Sequence, residues 1–535
     1  MSASSKKKLR KEQNAAAMTE QQVRERKEAT RLKIYTIAFA VVLVLCLGFF
    51  LYSTVSNSGL VQRNTTALKV NDHKISATEM NFFYIDTVNA FMQQMNQYGD
   101  YGPMIFGLNT SQPLNQQVTN EETGATWADD LLTQAQNTAK EIYTLYDEAV
   151  KAGQTLSEED KASIDSSLTS METYAKMYGY SSAGAYLQAM YGGSARVKDY
   201  RRYVEVRTLA SNYYDAYSDS LDFDDAALTA RDEQSPAEFN SYTYNVYSMS
   251  VSSFYEGGTT DESGTTTYSD EEKEAGRAAA AAAAYEILGA DIHTVESLDA
   301  AIAGLSYNAE KENVSSTAYT DTLYSRVSST YSEWLTDSAR ETGDFTVIES
   351  KDADGVITTY YLVLFLGVND NQFPLVNVRH ILIGYEDTAN VTDEEKAEVL
   401  DKANDLLNQW KSGEATEDSF KALVADNSTD PGSSANGGLY ENVYPGQMVS
   451  QFNDWCFDES RQPGDTDVVV TSYGAHIMYF VGESDTTYRS YLVDSTLTSE
   501  TLDQWYDALM EAATMTVGNT SFVRKDLVLN SGSSY

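Results

Sequence analysis

The chain has 535 residues, of which 42% are hydrophobic and 22% charged, and its formal net charge at pH 7 is −41. This length exceeds what a single hydrophobic core supports, so we expect several globular domains. So large a negative charge repels phosphates and excludes nucleic acid as a partner. Only two cysteines and four histidines occur. Because they show no Cys-x-x-Cys or paired-histidine spacing, the sequence predicts neither a metal site nor a cofactor.

The charge is distributed unevenly and indicates a membrane anchor. Residues 1–33 carry ten Lys or Arg and four Glu, a sum of +6, which leaves −47 for the remainder. Residues 34–52 contain no charged side chain, and at ~1.5 Å per residue they match the hydrocarbon thickness of a bilayer. The positive-inside rule then predicts a cytoplasmic tail (1–33), a single transmembrane helix (34–55) and an extracytoplasmic remainder. A cleaved signal peptide is the alternative interpretation.

The region after the anchor reads as mainly helical. A short strand at 67–70 and an Asn-Asp turn precede Ser76-Ala77-Thr78-Glu79, a capping box that predicts a helix start. A second capping box begins at Ser157. Hydrophobic periodicity predicts helices over 127–150, 165–178, 182–191 and 195–219. We therefore predict a mainly helical domain over residues 60–235.

An internal repeat follows this domain. The stretch Trp334–Asp344 matches Trp455–Asp465 at five of eleven positions, and similar capping boxes precede a helix in both halves. The order of these matches predicts two copies of one α+β unit, at 240–370 and 374–484.

The two copies differ in their histidines. Aligning the Asn-Val pair at 245 with the Asn-Val pair at 377 puts Ser248 at the position of His380. Counting back from Gly367 and Gly482 puts Tyr361 at the position of His476. The sequence thus predicts a repeated fold whose histidine pair belongs to the second copy alone.

The second copy carries an ordered set of short motifs between its two histidines. They are Arg379-His380-Ile381-Leu382, Ser428-Thr429-Asp430-Pro431-Gly432-Ser433, Asn436-Gly437-Gly438, Pro445-Gly446-Gln447-Met448, Pro463-Gly464-Asp465 and Tyr473-Gly474-Ala475-His476-Ile477. Taken together, residues 376–483 resemble a parvulin-type peptidyl-prolyl isomerase domain. The helical region resembles the N-terminal chaperone region of SurA/PrsA/PpiD-type foldases. That second likeness rests on the strand, the Asn-Asp turn, the capped helix and the Tyr-Gly-rich segments 177–180 and 191–193.

The resemblance implies a set of site residues. The catalytic residues would be His380, Asp430 and His476, with the two histidines hydrogen-bonded to each other and Asp430 near the substrate carbonyl. Rotation about an X-Pro bond meets a barrier of ~20 kcal/mol and requires no covalent step. An apolar cup for the proline ring and a polar network beneath it therefore suit the reaction. The substrate-binding residues would be Met448, Phe452, Gln447, Thr471 and Tyr473.

A structural interpretation of the same residues stays open. The histidine pair would hold the central strands together, Asp430 would be a turn residue before Pro431, and Met448 and Phe452 would be ordinary core. The chain also departs from the family after Gly438, where Leu439–Tyr444 replaces the usual Asp-Leu-Gly-Trp-Phe-Gly. Tyr440 or Tyr444 is the candidate replacement for the missing aromatic wall.

The C-terminal region, 485–535, reads as a helix over 498–513 and a strand over 515–523. The resemblance implies that it returns to the helical domain. The expected fold class is α+β multidomain. The expected function is a membrane-anchored foldase acting on unfolded secreted polypeptides, with a holdase or a surface structural protein as alternatives. Whether the chain forms a homodimer is left open.

Overall fold

The computed structural model describes residues 2–16, 42 and 59–529, except 262, 306, 307, 310 and 312. The predicted transmembrane segment 34–55 lies, apart from residue 42, outside these residues. Among the helices that the structure describes, none is long and apolar enough to cross a membrane. The architecture is α+β and multidomain, as predicted from the sequence.

Helices and strands are numbered separately along the chain. The helices of the described residues are α1 (Ala3–Ala16), α2 (Leu60–Asn64), α3 (Ala77–Asn96), α4 (Gly102–Ile105), α5 (Trp127–Lys151), α6 (Glu158–Met177), α7 (Ala183–Tyr191), α8 (Val197–Asp219), α9 (Asp225–Gln234), α10 (Asp270–Glu286), α11 (Val295–Gly304), α12 (Ser332–Leu335), α13 (Asp393–Ser412), α14 (Glu417–Asn427), α15 (Ser450–Cys456) and α16 (Tyr488–Ala512). The strands are β1 (Thr66–Val70), β2 (His73–Ser76), β3 (Val118–Asn120), β4 (Ala125–Thr126), β5 (Ser241–Ser250), β6 (Thr259–Thr260), β7 (Thr266–Thr267), β8 (Thr317–Leu323), β9 (Phe345–Lys351), β10 (Ile357–Asn369), β11 (Pro374–Gly384), β12 (Leu439–Val443), β13 (Thr466–Thr471), β14 (Gly474–Thr487) and β15 (Met515–Val517).

The chain divides into two compact units, residues 1–221 with 501–535 and residues 222–500. The first unit is mainly helical. Its helix α3 begins where the Ser76 hydroxyl accepts a hydrogen bond from the Glu79 amide at 3.1 Å. The strand β15 pairs antiparallel with β1, with Leu68 opposite Val517, so the C-terminal segment completes the small sheet of this unit.

Three sequence-predicted element boundaries differ from the structure. One helix, α6, covers the region assigned to a capped start at Ser157 and a separate helix from 165, because both hydrogen bonds of that capping box form and the helix continues unbroken. The last long helix begins at Tyr488 rather than 498, since the Thr487 hydroxyl accepts from the Ser490 amide and caps it there. The final strand ends at Val517 rather than 523.

The second unit contains two four-stranded antiparallel sheets. The first sheet has the order β8-β5-β10-β9 and the second sheet has the order β12-β11-β14-β13. In each sheet the strands stand in the spatial order second, first, fourth, third along the chain. Helices α10 and α11 cover one face of the first sheet and α12 the other. Helices α13, α14 and α15 cover the second sheet in the same way. The topology is therefore repeated.

The same β-bulge occurs in both sheets and fixes how they correspond. Phe365 pairs with Tyr244 in the first sheet, and Phe480 pairs with Val378 in the second. In both cases the register then shifts by one residue on the longer strand. Because a one-residue slip would turn every side chain to the opposite face, this shared irregularity is a firm reference point.

Counting from that bulge corrects the sequence alignment at one position. The residue equivalent to His380 is Val246, not Ser248, whereas Tyr361 remains equivalent to His476. The letter match between the two Asn-Val pairs was offset by two residues, because strand pairing on both sides of the bulge equates Thr243, not Asn245, with Asn377. The first sheet thus carries valine and tyrosine where the second carries its histidines.

Candidate active site

The central strands of the second sheet bring the two histidines together. On the antiparallel pair β11 and β14, His380 lies opposite Met478 and His476 lies opposite Leu382, so the histidines are diagonal neighbours on one face. Their side chains are 3% and 6% exposed. The two Nδ1 atoms are 3.0 Å apart, and the rings are nearly parallel at a centroid distance of 5.2 Å.

Hydrogen bonds continue from both ends of this pair. The His380 Nε2 lies 3.0 Å from Asp430 Oδ2, an acceptor, so Nε2 carries the proton and Nδ1 accepts. The His476 Nδ1 then donates to His380, which leaves the His476 Nε2 to accept from the Thr471 hydroxyl at 2.8 Å. With both rings neutral, every bond from Thr471 to Asp430 therefore points the same way. We call these four residues the histidine network.

Electrostatics fix the charge at two positions of the histidine network. Burial lowers the pKa of His476 to about 4, with the neighbouring His380 acting in the same direction. His476 is therefore neutral at pH 7. Hydrogen bonds from His380 and Ser433 hold the pKa of the Asp430 carboxyl far below its usual range, so Asp430 is ionised.

The Asp430 carboxylate is the charged end of the network. Besides His380, its Oδ2 accepts hydrogen bonds from the Ser433 hydroxyl at 2.5 Å and the Tyr440 hydroxyl at 3.1 Å. Its side chain is still 15% exposed. A fixed negative charge with an accessible edge can act on a polar group that approaches from solvent.

Ser433 did not figure among the residues predicted to form the site. It is fully buried, and its hydroxyl lies 3.0 Å from the His380 Nε2 as well as contacting Asp430. The sequence Asp430-Pro431-Gly432-Ser433 could have predicted this contact. A turn over these four residues brings the side chains of the first and the last together. The Ser434 amide donates to the Asp430 carbonyl at 3.2 Å in this turn.

An apolar and aromatic surface borders the network. Phe452, 2% exposed, meets both histidine rings edge-on at centroid distances of 5.4 Å. Met448 is half-buried against the same core cluster. The Tyr440 ring lies 5.3 Å from the His380 ring, so of the two candidate aromatic replacements Tyr440 is the one beside the histidines. Tyr444 stacks instead on Tyr491, at 4.9 Å.

Two of the predicted substrate-binding residues lie apart from the histidines. The exposed Gln447 uses its side-chain oxygen to accept from the Tyr444 amide at 3.1 Å, which closes a turn. The Tyr473 ring is 53% exposed, and this residue reaches the network only through its backbone amide, which donates to the Thr471 hydroxyl at 3.1 Å.

Close packing at Gly438 places the first histidine strand. Gly438 has φ +75°, and a Cβ at this position would lie 2.3 Å from the His380 carbonyl oxygen. Its own carbonyl accepts from the His380 amide at 2.9 Å. Arg379, on the opposite face of the strand, binds the Gly437 carbonyl at 2.8 Å. The Asn-Gly-Gly motif is therefore required by backbone contact with the strand that carries His380.

This region is similar in sequence to known proteins. Residues 360–483 match the family of the PPIC-type PPIASE domain, beginning within β10 rather than at the predicted 374. Over 110 residues the chain is 36% identical to the foldase protein PrsA of Geobacillus kaustophilus, covering 20% of this chain and 32% of the relative. It is 26% identical over 152 residues to foldase protein PrsA 1 of Listeria innocua, covering 27% of this chain and 46% of the relative.

Among solved structures, the peptidylprolyl isomerase PrsA from Bacillus cereus is 24% identical, with a TM-score of 0.18 over 26% of this chain and 49% of that chain. The chain thus spans only a third to a half of the length of the curated relatives it matches. The two ends of the histidine network lie within the matched residues. Residues 360–483 are therefore a PPIC-type, or parvulin-type, peptidyl-prolyl isomerase domain.

Proposed function

We propose that this chain is an extracytoplasmic foldase, anchored by residues 34–55, that isomerises X-Pro bonds in unfolded secreted polypeptides. One observation carries the proposal. The domain that matches an isomerase family holds an ionised carboxylate, Asp430, at the end of a buried one-directional hydrogen-bond chain and beside an apolar surface. The basic tail at 1–33 supports the orientation of the anchor.

The chemistry follows from amide resonance. The planar X-Pro bond owes its ~20 kcal/mol barrier to a charge-separated form with negative charge on the carbonyl oxygen and positive charge on nitrogen. Twisting the bond withdraws that negative charge from oxygen. A carboxylate fixed near the oxygen therefore disfavours the planar form more than the twisted one. A thousandfold acceleration requires about 4 kcal/mol of such differential stabilisation.

The remaining residues have positioning roles in this scheme. The histidines transfer no proton, since rotation about the C–N bond moves none. They orient Asp430 through the His380 Nε2 and are oriented in turn by Thr471. Met448, half-buried against the cluster that contains the buried Phe452, offers the apolar contact on which a proline ring would rest.

The test is a cis/trans isomerisation assay on a proline-containing tetrapeptide with the full chain. Asp430→Ala and Met448→Ala should lower kcat/KM, with circular dichroism unchanged. Asp426→Ala removes the same charge from an exposed position on α14 and is the matched control. Wild-type protein that is folded but shows no turnover would rule out the isomerase proposal.

A second candidate function is a holdase that binds clients without isomerising them. The first sheet favours it, because the same topology and the same bulge persist with Val246 and Tyr361 in place of the histidines. A holdase predicts that suppression of client aggregation is unaffected by Asp430→Ala. If the chain is an isomerase, all turnover should come from the second sheet. The Asp430→Ala variant should then show no activity that could be assigned to the first sheet.

A further inference from the structure

A large cleft lies within residues 222–500, away from the histidine network. Its volume is about 840 Å³. One wall is formed by Thr320–Leu323, the end of β8 in the first sheet, and another by Tyr444–Gly446, which follows β12 in the second. Because β8 is the outermost strand of its sheet, an extended polypeptide can pair with its outer edge on either side of the bulge at Asp321, where φ is +43°.

The cleft has an aromatic wall. Tyr444 stacks on Tyr491 at 4.9 Å and on Tyr488 at 5.9 Å, and Phe373 packs on Tyr488 at 5.6 Å. Tyr488, Tyr491, Leu492 and Ser495 recur at helical spacing, so one face of α16 lines this side. Stacked tyrosine rings present the electron-rich faces that attract Lys and Arg side chains.

Charge within the cleft is mostly negative. Four exposed carboxylates line it: Asp458 is paired with Arg461, and the other three belong to Asp321, Glu459 and Glu483. The guanidinium of Arg461 is already engaged, because it lies 3.6 Å from Asp458 and 4.3 Å from the centre of the Trp455 ring. Arg326 is then the one remaining cation among the lining residues, which leaves a net charge of −2.

The cleft and the candidate active site share one face of the second sheet. On α15, Phe452 contacts the histidine rings, while Cys456, one turn further, lines the cleft. On β11, Val376 lines the cleft and His380 belongs to the network. Four residues separate these two positions, a distance of about 13 Å along an extended strand.

The geometry points to a second substrate subsite in this cleft. It binds an extended, cationic segment of the unfolded polypeptide, with a Lys or Arg about four residues from the proline that occupies the isomerase site. Main-chain pairing with β8, stacking on the tyrosine wall and the three carboxylates supply the contacts. This inference rests on the proposed isomerase function and names its substrate class.

The experiment uses the full chain and two matched pairs of peptides of about twelve residues, long enough to span both sites at ~3.3 Å per residue. The peptides carry one proline and either Lys or Glu four residues from it, on each side in turn. We expect kcat/KM for the better Lys peptide to exceed that for its Glu counterpart at least about threefold, and the ratio to fall as salt screens the carboxylates. In Glu459→Lys/Glu483→Lys the net charge of the lining changes from −2 to +2, so the ratio should fall below one. The control Asp401→Lys/Asp405→Lys changes the charge equally on the exposed face of α13 and should keep the ratio.

The outcomes separate the two proposals. Equal turnover of the Lys and Glu peptides, or a preference that survives in the Glu459→Lys/Glu483→Lys variant, would overturn the subsite. A labelled Lys peptide that binds in fluorescence anisotropy, loses affinity in that variant and is not isomerised would keep the subsite and refute the isomerase function.

Discussion

Protonation of His476 should destabilise the second sheet. Its pKa is about 4 in the fold against 6.5 for an unperturbed histidine. As pH falls below 6.5, His476 therefore binds a proton in the unfolded chain but not in the folded chain, and the free energy of unfolding decreases. At 1.36 kcal/mol per pH unit the loss is about 2 kcal/mol at pH 5 and about 3 kcal/mol once pH reaches 4.

The pH window from 7 to 5 separates this effect from the titration of Asp430. Asp430, whose pKa is lowered, contributes stability that is lost only as pH falls below the ordinary carboxyl range, near 3.8. Amide hydrogen exchange of β11 and β14, corrected for the intrinsic exchange rate, gives the opening free energy at each pH. The variant His476→Gln retains a polar side chain but cannot titrate. We therefore expect its opening free energy to fall less than that of the wild type between pH 7 and 5.

Histidine NMR supplies a direct check, because the chain has only four histidines. The Cε1 resonance that disappears in His476→Gln should titrate with a midpoint near 4. A midpoint above 6 would contradict a neutral, buried pair. Equal losses of opening free energy in wild type and variant would contradict it as well.

Three further substitutions test the network and its support. Thr471→Val leaves a buried acceptor on His476 without its donor and should lower the free energy of unfolding by about 1–3 kcal/mol, with Thr471→Ser restoring it in urea titrations. Gly438→Ala forces a Cβ against the His380 carbonyl and should lower the melting temperature of the domain, whereas Gly446→Ala, with open space around its Cβ, should lower it less in calorimetry. Tyr440→Phe removes one donor from the site carboxylate and should reduce isomerase kcat with little change in circular dichroism; unchanged kcat would show that this hydroxyl has no part in turnover.

Much of the architecture could be predicted from local patterns in the sequence. A capping box such as Ser157–Asp160 predicts the start of a helix from four residues alone, and α6 begins at this position. The repeat was also recoverable, because Trp334 and Trp455 stand in matching short helices of the two sheets. Such features depend on neighbouring residues and need no knowledge of distant contacts.

Other features depend on contacts between distant residues, and the sequence could not supply them. The pairing register of β5 with β10 decides which residue of the first sheet corresponds to His380, and the sequence does not show this register. The separation of Tyr440 from Tyr444 is likewise tertiary, since residues four apart on a strand would face the same side but the strand ends at Val443, before Tyr444. Gln447 and Tyr473 were assigned by motif proximity, yet their side chains point to a turn and to solvent.

Because the two sheets have the same strand order, a strand of one sheet can pair with the other sheet during folding. The different buried residues of the two sheets disfavour this mispairing. Two sheets with the same strand order in one chain allow a strand exchange, in which β11 pairs with β10 instead of β14. Such a swap would set His380 beside Tyr361 and deprive the imidazole of its ring-nitrogen companion. An orphaned polar atom in a dry interior is penalised by about 1–3 kcal/mol. The different buried residues of the two sheets therefore disfavour this mispairing. Placing histidines at Val246 and Tyr361 of the first sheet should raise the yield of misassembled chains.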